Sequence, residues 1–381
     1  YLRRSQGHFM PMTVEPGIKG NKYLLVTFFA TLVFYLFYVL LYQKTYLASW
    51  TYGIAGSDML DYYQSAQQWY LYGKLPVQAF QGVLSNGAGY TLYIFVLKFL
   101  LFYPNLGYTN VISLNIINFL VVYLAALKLY YVTDKNSYLY TLIICNVALY
   151  FSSVRILRDP LIFYLISSIY SCAMSDKKSA NLAFFVYSIF LFLLRSYTIL
   201  FIACLFLYKK RMFNILKVFY VLFFVSFLSN VVRLFLGSLV SENSFAVLDS
   251  GNLLLSTVMF MLSPDIIDSF TRVTLTPNIS TFTYFLLSLW LTYAYLTIAV
   301  GALSNTMDDF YLLNLFLLLS NSLIYGILYA GANEPRHKLM ILIPTAILAS
   351  MSRTTIVKKV KVLDLVSITT ILTVLFVRSV L

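Results

Sequence analysis

The sequence predicts an all-α, polytopic membrane protein with about eleven transmembrane helices. Three observations support this prediction. The 381-residue chain is 60% hydrophobic and only 11% charged, whereas a soluble domain has roughly 25% charged residues. Its mean hydropathy is +0.81. Its apolar runs recur at lengths close to the ~20 residues that cross a bilayer.

The first apolar run, 23–43, is too long for the core of a cleaved signal peptide and predicts an uncleaved first transmembrane helix. The chain does not start with methionine, so we expect it to start inside a longer sequence. Residues 1–22 are polar and basic and predict a cytoplasmic segment. Residues 23–381 then form a single transmembrane domain, with outer loops at about 44–90 and 238–280.

The number of spans depends on the run over 182–208, which Arg195 interrupts. Two short helices meeting near Arg195 give eleven spans, whereas one helix gives ten and moves every later loop to the other side. The run over 90–103 is short and contains Lys98, so we expect an interfacial helix in the first outer loop. The other runs lie at 109–131, 138–156, 160–175, 212–237, 281–301, 309–330, 338–352 and 362–380.

The distribution of basic residues favours eleven spans. With the N-terminus inside, the clusters Lys177-Lys178, Lys209-Lys210-Arg211 and Lys358-Lys359 all lie on the cytoplasmic side, as the positive-inside rule requires. This topology accounts for the net charge of +13 without a nucleic-acid partner. The three cysteines lie within apolar runs, so no disulfide framework is expected.

Arginine dominates the outer side in the same topology. Arginine suits bidentate phosphate recognition, so these residues predict an anionic, phosphorylated ligand at the outer face. For any single arginine, the alternative is a side chain that extends to lipid head groups. The outer arginines are Arg155, Arg158, Arg195, Arg233, Arg272, Arg336 and Arg378.

Three polar clusters are predicted on the outer side, and ionisable groups at membrane depth indicate function. The first is the pair Asp58 and Asp61, whose spacing places both on one face of a helix. The second surrounds Asp159, which equally suits a helix N-cap because Pro160 follows it. The third is Asn333-Glu-Pro-Arg-His-Lys338.

Several short motifs occur in a distinctive order along the chain: Asp58-x-x-x-Tyr62 with Gly73, Gly89-Tyr90, Arg158-Asp159-Pro160, Leu194-Arg195-Ser196-Tyr197, and Glu334-Pro335-Arg336-His337 with Pro344. In this order the chain resembles the GT-C superfamily of integral-membrane glycosyltransferases, in the branch of aminoarabinose and protein O-mannosyl transferases. The resemblance extends over residues 23–352. The chain departs from the family in having Asp58-Met-Leu-Asp61 at a place where two adjacent acidic residues are common.

The resemblance implies an inverting sugar transfer from a polyprenyl-phosphate-linked donor to a hydroxyl of a glycan, lipid or protein. The reaction would take place at the outer face of a bacterial plasma (inner) membrane. Asp58 would deprotonate the acceptor hydroxyl as the catalytic base or would orient it, and Asp61 would support Asp58. Asp159 would position the acceptor or a divalent cation, Mg²⁺ or Mn²⁺. The residues implied for binding the substrate and its lipid phosphate are Arg158, Arg195, Arg336, His337, Lys338 and Tyr62.

Two other functions remain open. Repeat-unit polymerases of surface polysaccharide are also polytopic, and the segments around Arg158 and Arg195 suit them equally well. The spacing from Asp58 to Tyr62 and Gly73 has no special role in that class, so it favours the transferase. A lipid-linked sugar flippase or transporter is the second alternative. Against it, the chain has no internal repeat and no matched pair of broken spans.

Overall fold

A computed structural model describes twelve stretches of the chain, and every regular element within them is helical, which confirms the all-α class. The described residues are 18–46, 57–73, 88–102, 109–133, 136–154, 158–175, 177–195, 198–213, 253–276, 278–302, 308–329 and 338–356. The predicted runs over 212–237 and 362–380 lie almost entirely or entirely outside these stretches. The count of eleven spans therefore stays a prediction.

Most helices coincide with predicted apolar runs. The helices are α1 Ile18–Tyr46, α2 Ser57–Tyr72, α3 Ala88–Phe102, α4 Thr109–Val132, α5 Ser137–Ile144, α6 Val147–Ser153, α7 Asp159–Ala173, α8 Lys178–Leu194, α9 Ile199–Lys209, α10 Leu253–Leu262, α11 Ile266–Leu275, α12 Ile279–Ala302, α13 Asp309–Tyr329 and α14 Leu339–Ile356. By contrast, α2, α10 and α11 lie within the segments predicted as outer loops.

Three helices in the described stretches are long and apolar enough to cross a membrane. They are α1, α4 and α12; the shorter apolar helices are α7, α8 and α9, between α4 and α12, and α13 and α14, which follow α12. The predicted break near Arg195 is confirmed, because α8 ends at Leu194 and Arg195 has an extended backbone with φ −150° and ψ 99°. The chain is thus a helical protein that contains helices long and apolar enough to span a membrane.

The run predicted as one helix over 138–156 is divided into α5 and α6, so the prediction of an uninterrupted helix was wrong. Asn146 lies at the break and is buried. Its side chain accepts a hydrogen bond from the backbone N–H of Ala148 at 2.9 Å and caps α6. An asparagine that bonds the local backbone competes with helix continuation, which explains the interruption.

Helix α14 lies at the centre of the bundle. Every residue from Lys338 to Ser350 is buried, which is expected for a helix that is apolar on all sides. It packs against α12, α13 and α5. On the other side of the bundle, α4 packs against α7, and α7 against α8.

Polar contacts join α1 to the rest of the bundle. The Tyr35 hydroxyl donates to the Asn115 carbonyl in α4 at 2.8 Å, and the hydroxyls of Tyr38 and Thr283 are 2.5 Å apart. Apolar side chains of α1 such as Phe37 remain exposed. Interhelical hydrogen bonds combined with an exposed apolar face are typical of a helix that contacts lipid.

Arginine and lysine side chains from other segments contact the two ends of α7. Arg195 contacts its first residue, Asp159. Lys209, at the end of α9, donates to the carbonyl of Ser175 just beyond its last turn at 2.8 Å. Lysine beside a helix C-terminus satisfies carbonyl groups that have no partner within the helix. Arg195 and Lys209 therefore lie at opposite ends of α7, as the predicted topology requires.

Gly301 allows α12 and α14 to approach closely. A Cβ atom at this position would lie 2.1 Å from Ser352 Cβ and 2.8 Å from Ser352 Cα. Because Cα belongs to the backbone, rotation of a side chain does not relieve the overlap. We expect Gly301→Val to lower the free energy of unfolding by about 1–3 kcal/mol, measured by thermal unfolding in detergent.

Gly73 offers a matched control for this prediction. Its φ is +64°, and a Cβ atom there would meet nothing within 4 Å. Asparagine tolerates this left-handed conformation, so Gly73→Asn should have a smaller effect than Gly301→Val. Equal melting temperatures for Gly301→Val and the unmodified chain would contradict the close approach.

Candidate functional site

A buried ion pair joins the start of α7 to the end of α8. Arg195 Nη2 donates to Asp159 Oδ1 at 2.5 Å, and the two side chains are 6% and 2% exposed. Asp159 is the first residue of α7, and the cap position is occupied by Arg158. The N-cap interpretation of Asp159 is therefore wrong, since its carboxylate binds a guanidinium.

Aromatic residues connect this ion pair to helices α13 and α10. Arg195 Nη1 donates to the Tyr325 hydroxyl in α13 at 2.8 Å. The Tyr325 ring stacks on Phe260 of α10, with centroids 5.3 Å apart. Lys338 Nζ lies 3.6 Å from the centre of the Phe260 ring and donates to the Phe260 carbonyl.

These five residues form what we call the charged cluster: Asp159, Arg195, Tyr325, Phe260 and Lys338. They come from five separate parts of the chain. Three of them, Asp159, Arg195 and Lys338, were predicted site residues. All five are buried, and buried charges in proteins are stable when they are paired or hydrogen-bonded.

Arg158 lies beside the charged cluster because it precedes Asp159. Its Nη1 atom is buried and has no hydrogen-bond partner among the residues that the structure describes. A guanidinium is a cation with donor groups only. Arg158 can therefore donate a hydrogen bond to an anionic partner, whereas Arg195 already contacts Asp159 and Tyr325.

The helices of the first predicted outer loop lie near Arg158 and Asp159. Tyr62 of α2 packs edge-to-face on Tyr93 of α3, with ring centroids 5.0 Å apart. Burial raises the pKa of the Tyr93 phenol well above its ordinary value, and electrostatic interactions with Tyr62 and Asp159 raise it further. Arg158 lowers the same pKa. Tyr93 thus lies within electrostatic reach of Arg158 and Asp159.

Other predicted residues fall outside the described parts. Arg336 and His337 lie outside the described residues, and the side chains of Asp58 and Asp61 do as well, although both positions belong to α2. Position 58 lies one turn before Tyr62 on the same face of α2. Position 61 immediately precedes Tyr62 and lies about 100° around the helix.

Sequence reasoning missed Tyr93, Phe260 and Tyr325. Each is one aromatic residue within an apolar helix, and 18% of the chain is aromatic, so no local signal separates them from core residues. Other acidic residues have structural roles. Asp265 caps α11 by accepting from Ile267 N–H, and Asp308 accepts from Tyr311 N–H at the start of α13.

Within the described residues, no group of three or more His, Cys, Asp or Glu side chains could hold a metal ion. The chain was also compared with protein-family models, curated proteins and solved structures, and none of them matches it. The site offers a paired carboxylate, one guanidinium with an open donor and a buried lysine amine.

Proposed function

We propose that the chain is a membrane glycosyltransferase that moves a sugar from a polyprenyl-phosphate-linked donor to an acceptor hydroxyl. The observation that carries this proposal is the burial of Asp159, Arg195 and Lys338 in one cluster beside Arg158. Charges are costly in the interior of a membrane protein and indicate a substrate site. Arginine is well suited to the phosphate group of such a donor.

The proposed reaction is a displacement at the anomeric carbon of the donor. The acceptor oxygen forms a bond to this carbon while the bond from the carbon to the phosphate oxygen breaks. The phosphate leaves with the electron pair, and Asp58 takes the proton of the acceptor hydroxyl. Guanidinium groups stabilise the negative charge that develops on the leaving phosphate.

The contacts of the two arginines suggest different roles. Arg195 donates to Asp159 and to Tyr325, so we assign it to positioning Asp159 in addition to its charge. Arg158 has an unpartnered buried Nη1 among the described contacts, so we assign it the direct phosphate contact. Arg336 and His337 remain proposed contributors from the segment before α14. Asp159 then positions the acceptor or a divalent cation.

The proposed site faces the outer side of a bacterial plasma membrane. This assignment follows from the predicted topology, in which lysine clusters lie inside and arginines outside. The separation of Arg195 and Lys209 at opposite ends of α7 supports it. An outer site suits polyprenyl-linked donors, whose lipid chain keeps the sugar at the membrane surface.

A repeat-unit polymerase is the second candidate. The charged cluster is equally consistent with it, because the cluster includes residues from the segments around Asp159 and Arg195, which suit polymerases as well as transferases. Both enzymes would use an arginine-bound lipid phosphate. They differ in whether the acceptor receives one sugar or a preassembled glycan chain.

Product size separates the two functions. The purified full chain in lipid nanodiscs would be incubated with polyprenyl-phosphate and polyprenyl-diphosphate sugars, and the products would be analysed by mass spectrometry. Addition of a single sugar supports the transferase, and a ladder of repeats supports the polymerase. Parallel reactions with Mg²⁺, Mn²⁺ or a chelator test for a divalent cation. Failure to consume any of these donors would contradict both functions.

A further inference from the structure

The hydroxyl of Tyr93 and Nη1 of Arg158 are buried donors near Asp159, and neither atom has a hydrogen-bond partner among the described residues. A buried polar atom without a partner is destabilising, and most such atoms in proteins are bound by protein or water. Two of them beside one site therefore indicate a ligand that supplies acceptors.

Packing holds Tyr93 in place. The residue is 6% exposed, and its ring meets Tyr62 edge-to-face. Helix α3 packs against α2, α4 and α8. Arg158 precedes α7, which packs against α4 and α8 as well. Tyr93 lies on α3 and Arg158 directly precedes α7, and both of these helices pack against α4 and α8.

The chemistry of the two donors restricts which chemical groups the ligand can carry. The buried phenol stays protonated and donates through its hydroxyl, and the guanidinium donates through N–H groups. Oδ1 of the neighbouring Asp159 carboxylate already accepts from Arg195. A ligand for both donors must carry acceptor oxygens and negative charge, which a phosphoryl group provides.

We propose that Tyr93 and Arg158 together bind the phosphoryl oxygens of a lipid-linked phosphate. Tyr93 is then a binding residue of the site, contributed by the interfacial helix α3. The identity of the lipid as a polyprenyl carrier rests on the proposed function. The phosphoryl contact itself is shared with an ordinary phospholipid head group, and the experiment distinguishes these sources.

Tyr93→Phe tests the proposal because it removes the hydroxyl and keeps the ring that packs on Tyr62. The full chain in detergent would be titrated with polyprenyl phosphate, phosphatidylglycerol and inorganic phosphate, and binding would be followed by native mass spectrometry. We expect roughly tenfold weaker binding of polyprenyl phosphate, the scale of a lost hydrogen bond to a charged group. Arg158→Lys, which keeps the charge but loses the planar fork, should also weaken binding.

Tyr311→Phe is the matched control. The Tyr311 hydroxyl is also buried without a partner among the described residues, and it lies about 21 Å before Tyr325 along α13. The same chemical change at this distance should leave binding unchanged. Thermal unfolding of all three variants shows that any loss of binding is not a loss of folded protein.

Four outcomes are distinguished. Weaker binding of polyprenyl phosphate alone supports a carrier-specific site, and equal weakening with phosphatidylglycerol supports a phosphoryl site open to any phospholipid. Unchanged binding in Tyr93→Phe would overturn the proposal, even if the unmodified chain transfers sugar. Weakened binding without any transfer by the unmodified chain would instead reject the proposed function and keep the phosphoryl site.

Discussion

Replacing Arg195 with methionine should lower the free energy of unfolding by about 3–5 kcal/mol, the cost of leaving a buried charge without its partner. The Asp159 carboxylate, with a side chain only 2% exposed, would lose a donor at 2.5 Å. Tyr325 would lose its own donor in the same variant. Equilibrium unfolding of the full chain in detergent measures the change.

A double variant separates the effect of charge from that of packing. Asp159→Asn alone leaves the Arg195 guanidinium buried without its carboxylate, so it should also be strongly destabilising. When both substitutions are combined, no uncompensated charge remains. The total loss should then be smaller than the sum of the two single losses, because residues in direct contact are not additive.

An exposed ion pair provides the control. Arg272 Nε donates to Asp268 Oδ2 at 2.8 Å, but the two side chains are 59% and 52% exposed. Solvent screens such pairs, so Arg272→Met should change stability by no more than about 0.5 kcal/mol. An Arg195→Met variant as stable as Arg272→Met would show that the buried pair does not hold α7 to α8.

Asp58→Asn should reduce sugar transfer at least about 100-fold while the protein remains folded. The amide keeps the size of the side chain but does not take a proton from the acceptor hydroxyl. Position 58 lies one turn before Tyr62, whose ring packs on Tyr93, within electrostatic reach of Asp159. Initial rates with a polyprenyl-phosphate sugar measure the loss, and thermal unfolding measures the fold.

Asp61→Asn is the companion variant for this prediction. Position 61 lies about 100° around α2 from Tyr62, so its substitution should reduce the rate less than Asp58→Asn. Normal turnover in Asp58→Asn would refute the assignment of Asp58 as the base. A larger loss in Asp61→Asn than in Asp58→Asn would move that role to Asp61.

Features of the chain that depend on one residue and its neighbours in the sequence were predicted well. The interruption at Arg195 was predicted because two short helices there place the lysine clusters on the cytoplasmic side, as the positive-inside rule requires. The division at Asn146 was missed because hydropathy does not register an asparagine that bonds to the local backbone. The role of Asp159 was open from sequence, since an acid before a proline suits both a cap and a site.

The all-α class could be predicted from the sequence, because hydropathy and charge are properties of each segment taken alone. Which polar residues share a site is visible only in the packing of the helices. Asp159 and Arg195 are 36 positions apart, Arg195 and Tyr325 are 130 apart, and Phe260 and Lys338 are 78 apart. Contacts over such separations depend on how the helices pack, and packing brought Tyr93, Tyr325 and Phe260 to the predicted charges.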